Sequence, residues 1–204
     1  MEWITVVDLQ RTKLKVKSRE AIHQDGDWHE TFQCWFVERV GEQLYIHLQK
    51  RSKYKRDFPS HYDITAAGHL MAGETVRDGV REVKEELGIE VDFDNLLYIG
   101  AIPNSIHNPT FHDNEISLVY VHEISAPYNY QFLDEEVEQM IRVPFESFIN
   151  VIEDQQQVNV EVYVDGTFSL STESLSFKQL VPHEKAYFEQ VIIFIATNYK
   201  RVPH

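Results

Sequence analysis

The chain has 204 residues, 43% of them hydrophobic, and a formal net charge of −14, which suits one substantial core and excludes the phosphate backbone of DNA or RNA as principal partner. The single Cys34 excludes an internal disulfide, and its apolar neighbourhood points to a buried thiol in a reducing, cytoplasmic setting. The N-terminus lacks the basic-then-apolar order of a signal peptide, and no apolar run is long enough to span a membrane, so a soluble protein is expected.

Neither an internal repeat nor a low-complexity tract occurs, and residues 1–204 read as one α/β unit. Residues 4–7 and 14–16 flank a polar turn and predict a small hairpin within residues 1–27, ahead of a core of about residues 28–155. Residues 32–38 and 44–49, parted by Gly41, read as paired strands. A loop rich in Lys and Arg then leads through Pro59 to a strand-like stretch at 62–65 and a helix within 68–89. Strand signals return at 96–102, 116–124 and 138–143, followed by a helix over 144–153. Residues 156–204 form an extension: a hairpin of 160–164 and 167–170 turning at Asp165-Gly166, then a final helix with Pro182 near its start. In that helix Phe188, Val191, Ile192, Ile195 and Tyr199 recur at helical spacing. This stripe reads as the face that closes the core, with a homodimer surface as the alternative.

The segment 68–89 carries the chemistry. Glu82, Glu85 and Glu86 stand at i, i+3 and i+4, so their carboxylates share one helix face and repel one another. Clustered oxygen ligands suit a hard divalent cation, Mg²⁺ or Mn²⁺, which offsets that repulsion. Val76, Val80, Val83 and Leu87 form the opposite, apolar face. Gly68 and Gly73 flank a loop where backbone carbonyls can approach a metal, and Gly79 is expected to interrupt the helix at a cost of roughly 1 kcal/mol. A solvated amphipathic helix ending in a glycine cap is the competing reading.

Gly68, Glu74, Arg81, Glu82, Val83, Glu85, Glu86, Gly88 and Ile89 together resemble the signature of the Nudix hydrolase superfamily. The one departure is that six residues separate Glu74 from Arg81 where the family has seven, which leaves the role of Glu74 uncertain. The resemblance implies an α/β/α sandwich with a mixed sheet, here with the N-terminal hairpin and the C-terminal hairpin and helix added. It also implies metal-dependent hydrolysis of a diphosphate linkage in a nucleoside diphosphate-type or related small substrate. In that scheme the Gly68 carbonyl with Glu82, Glu85 and Glu86 holds the metal, Arg81 orients the glutamates, and a glutamate outside the helix serves as base. Glu115 is preferred over Glu135 for that role, because Glu135 sits in an acidic run that reads equally as a solvated turn.

Over about residues 20–150 the chain more loosely resembles the isopentenyl diphosphate isomerase branch of that superfamily, through His23, His29, Gln49 to Ser52, Lys55, Pro59, Gly68-His69, Asp113 and Glu115. The branch implies a second metal site at His23, His29, His69, Asp113 and Glu115, and a diphosphate clamp of Arg51 and Lys55. Neutral imidazoles with carboxylates suit Mn²⁺ or Zn²⁺. Where the isomerase has a catalytic cysteine this chain has Ala67, which cannot transfer a proton to carbon, so the isomerase reading is disfavoured. A noncatalytic nucleotide-binding sensor is the other rival, and the intact glutamate set weighs against it. Trp28, Trp35, Tyr54, Tyr62 and Phe111 are the aromatics available to stack on a base.

Overall fold

A computed structural model describes residues 2–108, 111–124, 128–132, 135–153 and 156–199. The chain begins with strands β1 (Trp3–Val7) and β2 (Lys13–Ser18), paired antiparallel as the expected hairpin. A helix that the sequence reading did not anticipate follows, α1 (Arg19–Asp25). Its signals are local and short: Ser18 caps it by accepting from the Ala21 N–H, and Gly26 ends it at φ 67°. Two turns are too few for a hydrophobic period to register.

The central strand is β3 (Trp28–Val40), buried without a break from Thr31 to Val37, as a strand covered on both faces must be. Along one edge it pairs in succession with β1, with β6 (Ala66–His69) and with β4 (Gln43–Arg51), all antiparallel. Along the other it runs parallel to β8 (Phe111–Ile124), from Trp28 opposite Asn114 to Glu38 opposite Ile124. Beyond β8 lies β7 (Leu97–Asn108), and β5 (Tyr62–Asp63) pairs with β4. β9 (Val137–Pro144), β10 (Val158–Val164) and β11 (Thr167–Leu175) extend the same sheet from the outer edge of β4. β7 and β8 therefore form a much longer ribbon than residues 96–102 and 116–124, and this ribbon carries Asp113 and Glu115.

Alternation along β3 and its neighbours sorts the core into two layers. Phe32, Cys34 and Phe36, with Leu118 and Met140, pack on the face covered by α2 (Arg81–Leu87), through Val83 and Leu87. Trp35 and Val37, with Ile46, Val119 and Ile141, pack on the face covered by α3 (Phe145–Ile152) and α4 (Lys185–Tyr199). The result is the expected α/β/α arrangement around a mixed sheet. Phe188, Val191, Ile195 and Tyr199 of α4 are buried in that second layer, so the helical stripe faces the core rather than open solvent. Among the aromatics named above, Trp35 and Tyr62 are core residues and Tyr54 is exposed; the Phe111 side chain lies outside the described residues.

Candidate active site

The helix α2 is shorter than its sequence period. Residues Asp78–Val80 form a 3₁₀ turn, and the α-helix proper starts at Arg81. Gly79 belongs to that turn and is not an interruption of the helix. A Cβ there would lie 2.6 Å from Phe32 Cβ and 2.7 Å from Leu70 Cδ2, so the glycine is required by close packing against β3. Gly68 likewise sits within strand β6 and not in a loop. A Cβ on it would meet the Glu82 carboxylate at 2.0 to 2.4 Å, which means that Glu82 rests directly against the Gly68 backbone.

Arg81 is the hub of the helix cluster. Its guanidinium donates to Glu74 through Nε (2.9 Å) and Nη2 (3.1 Å), to Glu85 (2.8 Å), to Glu82 and to the His69 carbonyl (3.1 Å). Glu74 therefore keeps a two-pronged pair with Arg81 across the shortened segment, partly because a 3₁₀ turn rises about 2.0 Å per residue against 1.5 Å in an α-helix. It also accepts from the Met71 N–H at 2.8 Å, and its carboxyl is held below the ordinary value chiefly by Arg81. It stands behind Arg81 and is absent from the cavity wall.

Glu82, Glu85 and Glu86 line one cavity of about 410 Å³. Glu86, 6% exposed, accepts from Gln49 Nε2 and the Ala67 N–H, both at 3.1 Å. Burial first, and the Glu82 charge second, push its pKa up to about 8. Burial also raises Glu82, to about 7, against the opposing pull of Arg81. A buried and a half-buried carboxyl so poised favour protonation or a cation between them.

The same cavity reaches a second cluster. On β3, His29 lies opposite Glu115 of β8, and Thr31 lies opposite His69 of β6. Asp113 is on the same face of β8 as Glu115, and α1 delivers His23, whose Nε2 lies 3.4 Å from Asp113 Oδ1. Among the described residues, ligand atoms of His23, His29 and His69 lie within 4.8 Å of one another, as do those of His29, Asp113 and Glu115. His29 Nδ1 donates to the Asp27 carbonyl at 3.1 Å, which leaves the Nε2 lone pair facing Asp113 Oδ1 at 3.5 Å. His29 Nε2, His69 Nε2 and Asp113 Oδ1 are buried without a hydrogen-bond partner. Burial lowers the pKa of both imidazoles and so keeps them neutral. These donors fit a divalent ion of nitrogen preference. Glu115 is held through Oε2 by Gln33 Nε2 (3.0 Å) and Thr31 Oγ1 (3.2 Å), and burial followed by the Asp113 charge raises it well above the usual carboxyl range. Glu135 is exposed and off the cavity wall; its neighbour Glu136 lines it instead.

Arg51 at the end of β4 and Lys55 in the loop after it line the cavity, but each has a carboxylate partner. Arg51 pairs with Asp63 at 3.0 Å and also donates to the Asp57 carbonyl, and Lys55 pairs with Glu136. Sequence reasoning missed Asp63, Gln33 and His183, which also line the wall. None sits in a local pattern; their roles arise from contacts between residues far apart in sequence.

Comparison with known proteins bears on this geometry. A model of the NUDIX domain matches residues 27–164. An uncharacterized Nudix hydrolase of Clostridium acetobutylicum is 29% identical over 97% of this chain and 98% of its own length. An isopentenyl-diphosphate Delta-isomerase of Brevibacterium linens is 30% identical over 54% of this chain and 65% of its own. Among solved structures, the MutT protein from Methanosarcina mazei Go1 superposes with a TM-score of 0.54 at 16% identity, covering 85% of this chain and 96% of that one.

Proposed function

The chain belongs to the NUDIX domain family, whose hydrolases cleave pyrophosphate linkages, and on that premise we propose that it hydrolyses a diphosphate linkage in a nucleoside diphosphate-type or related small substrate in a metal-dependent reaction. The observation that carries this reading is the pair of half-buried Glu82 and buried Glu86, with raised pKa values, beside the bare Gly68 backbone on a cavity wall. Those residues, with Glu85, would hold Mg²⁺ or Mn²⁺. Such an ion, when bound, supplies positive charge to the diphosphate oxygens and lowers the pKa of a coordinated water.

The chain's own groups do the rest. Arg81 fixes the directions of Glu82 and Glu85 while Glu74 braces Arg81 from behind. Arg51 and Lys55 bind the diphosphate, and Lys55 exchanges Glu136 for a phosphate oxygen as substrate enters. Glu115, held in place by Gln33 and Thr31, takes the proton of the attacking water in its ionised form. A second ion at His23, His29, His69, Asp113 and Glu115 is supported by the unpartnered Nε2 atoms of His29 and His69. Double-bond isomerisation is disfavoured: Ala67 offers only a methyl group and a backbone N–H already given to Glu86.

The test is to incubate the protein with nucleoside diphosphates, nucleotide sugars, dinucleotide polyphosphates and isopentenyl diphosphate, with and without Mg²⁺. Mg²⁺-dependent release of a phosphorylated product from at least one of them is expected. Double-bond migration in isopentenyl diphosphate without phosphate release would overturn the hydrolase reading, and binding without turnover across the panel would favour a sensor.

A further inference from the structure

His183 lies in the C-terminal extension, beyond the residues matched to the family, yet it lines the cavity. The segment that carries it is docked on β5: the Val181 N–H donates to the Tyr62 carbonyl at 2.9 Å, and Leu180 bridges to Tyr62 in parallel. β5 in turn pairs with Gln49 and Lys50 of β4, immediately before Arg51. The extension thus reaches the cation loop through one two-residue strand.

Its polar contacts have a fixed sense. The Glu184 N–H donates to Asn104 Oδ1 at 3.0 Å, so the Asn104 amide nitrogen faces His183 Nδ1, at 2.9 Å. Nδ1 therefore accepts, and the proton sits on Nε2, which donates to Asp63 Oδ1 at 3.0 Å. Asp63 Oδ1 also accepts from the Ile64 N–H at 2.8 Å, and Oδ2 accepts from Arg51 Nη1 at 3.0 Å. The Nε and Nη2 groups of Arg51 are directed to the Asp57 carbonyl. One N–H on each terminal nitrogen remains outside these bonds, on a side chain that lines the cavity.

We propose that His183 is a positioning residue: through Asp63 it fixes the Arg51 guanidinium for the diphosphate, so that the C-terminal extension is part of the substrate site. This rests on the reading of Arg51 as a diphosphate-binding residue. Removing the imidazole donor frees Asp63 to turn and Arg51 to follow it, while the metal-holding glutamates are untouched.

Two substitutions separate positioning from packing, because the His183 ring also stacks on Tyr187 and meets Phe188 edge-on. His183→Phe keeps the ring and loses the donor; His183→Gln keeps an N–H donor and loses the ring. Binding of methylenediphosphonate with Mg²⁺, read by calorimetry alongside each variant's Tm, decides between them. His183→Phe is expected to weaken binding about five- to tenfold, and His183→Gln to stay within about twofold of wild type. Arg51→Ala should weaken binding at least as much as His183→Phe, and adding His183→Phe to it should weaken binding no further. If His183→Phe binds like wild type while Arg51→Ala is impaired, or if the double variant loses the product of both effects, the positioning role is overturned alone. If Arg51→Ala binds like wild type, or wild type binds no methylenediphosphonate, the diphosphate reading of Arg51 falls and takes this inference with it. Should His183→Phe fail to fold, His183→Ala serves as the donor-less variant in the same comparison.

Discussion

At Glu86 two hydrogen bonds, from Gln49 and the Ala67 N–H, meet a carboxyl whose pKa burial has raised from 4.5 to about 8. A group whose folded pKa lies above its unfolded value contributes stability that is complete below about pH 4.5 and is lost as pH rises through about 8. Glu86→Gln preserves both acceptor contacts and removes the ionisation. The metal-free variant should therefore melt with wild type near pH 4.5 and above it at pH 8, the gap widening in between; a gap independent of pH would show that Glu86 ionises there without cost. At the second cluster, His69→Ala should abolish Zn²⁺ binding while Mg²⁺ still binds at α2, as read by calorimetry with each ion. Because burial lowers the His29 and His69 pKa values below 6.5, Zn²⁺ binding in wild type should persist at pH 6.5 and weaken only at lower pH, where the imidazoles protonate. Zn²⁺ binding by His69→Ala as tight as wild type would remove the histidine site.

The placement of α2 depends on the turn before it. Gly79 packs so closely on Phe32 and Leu70 that Gly79→Ala should cost about 1–3 kcal/mol, or roughly 2–4 °C in Tm for each kcal/mol. Gly68→Ala should instead leave Tm less affected and push the Glu82 carboxylate aside, so that turnover and Mg²⁺ affinity both fall by tenfold or more, near the loss of one metal ligand's placement. Equal Tm losses with unchanged Mg²⁺ affinity would mean that both glycines serve packing alone. This is also the scale at which the sequence was only partly legible. The spacing of Val83 and Leu87 identified the buried face of α2, and alternation identified β3 and β4, because those signals are local and repeated. The helix α1, the long β7–β8 ribbon and the 3₁₀ turn at Gly79 were not legible: each is decided by a cap, a cross-strand register or a steric fit that no hydrophobic period encodes.

Across the whole molecule, the glutamate cluster could be read from residues within one turn of helix, whereas its surroundings could not. Glu115 meets Gln33 across 82 positions, His183 meets Asp63 across 120, and Tyr187 OH donates to Gln33 across 154. Such contacts exist only once β3, β8 and the C-terminal extension share one sheet and one core. The −14 net charge sharpens the role proposed for a metal, because an anionic substrate approaching three glutamates is repelled unless cations intervene. Arg51 and Lys55 are already paired with carboxylates, which leaves that task chiefly to a bound ion. The most direct measurement is Mg²⁺-dependent turnover of the best substrate in the panel by wild type and by Glu86→Gln, both confirmed folded by their melting curves. A loss of about 10²-fold or more in kcat with Tm unchanged or raised is the predicted result. Full turnover by folded Glu86→Gln, or turnover by wild type that ignores Mg²⁺, would contradict the assignment of α2 as the metal-holding centre.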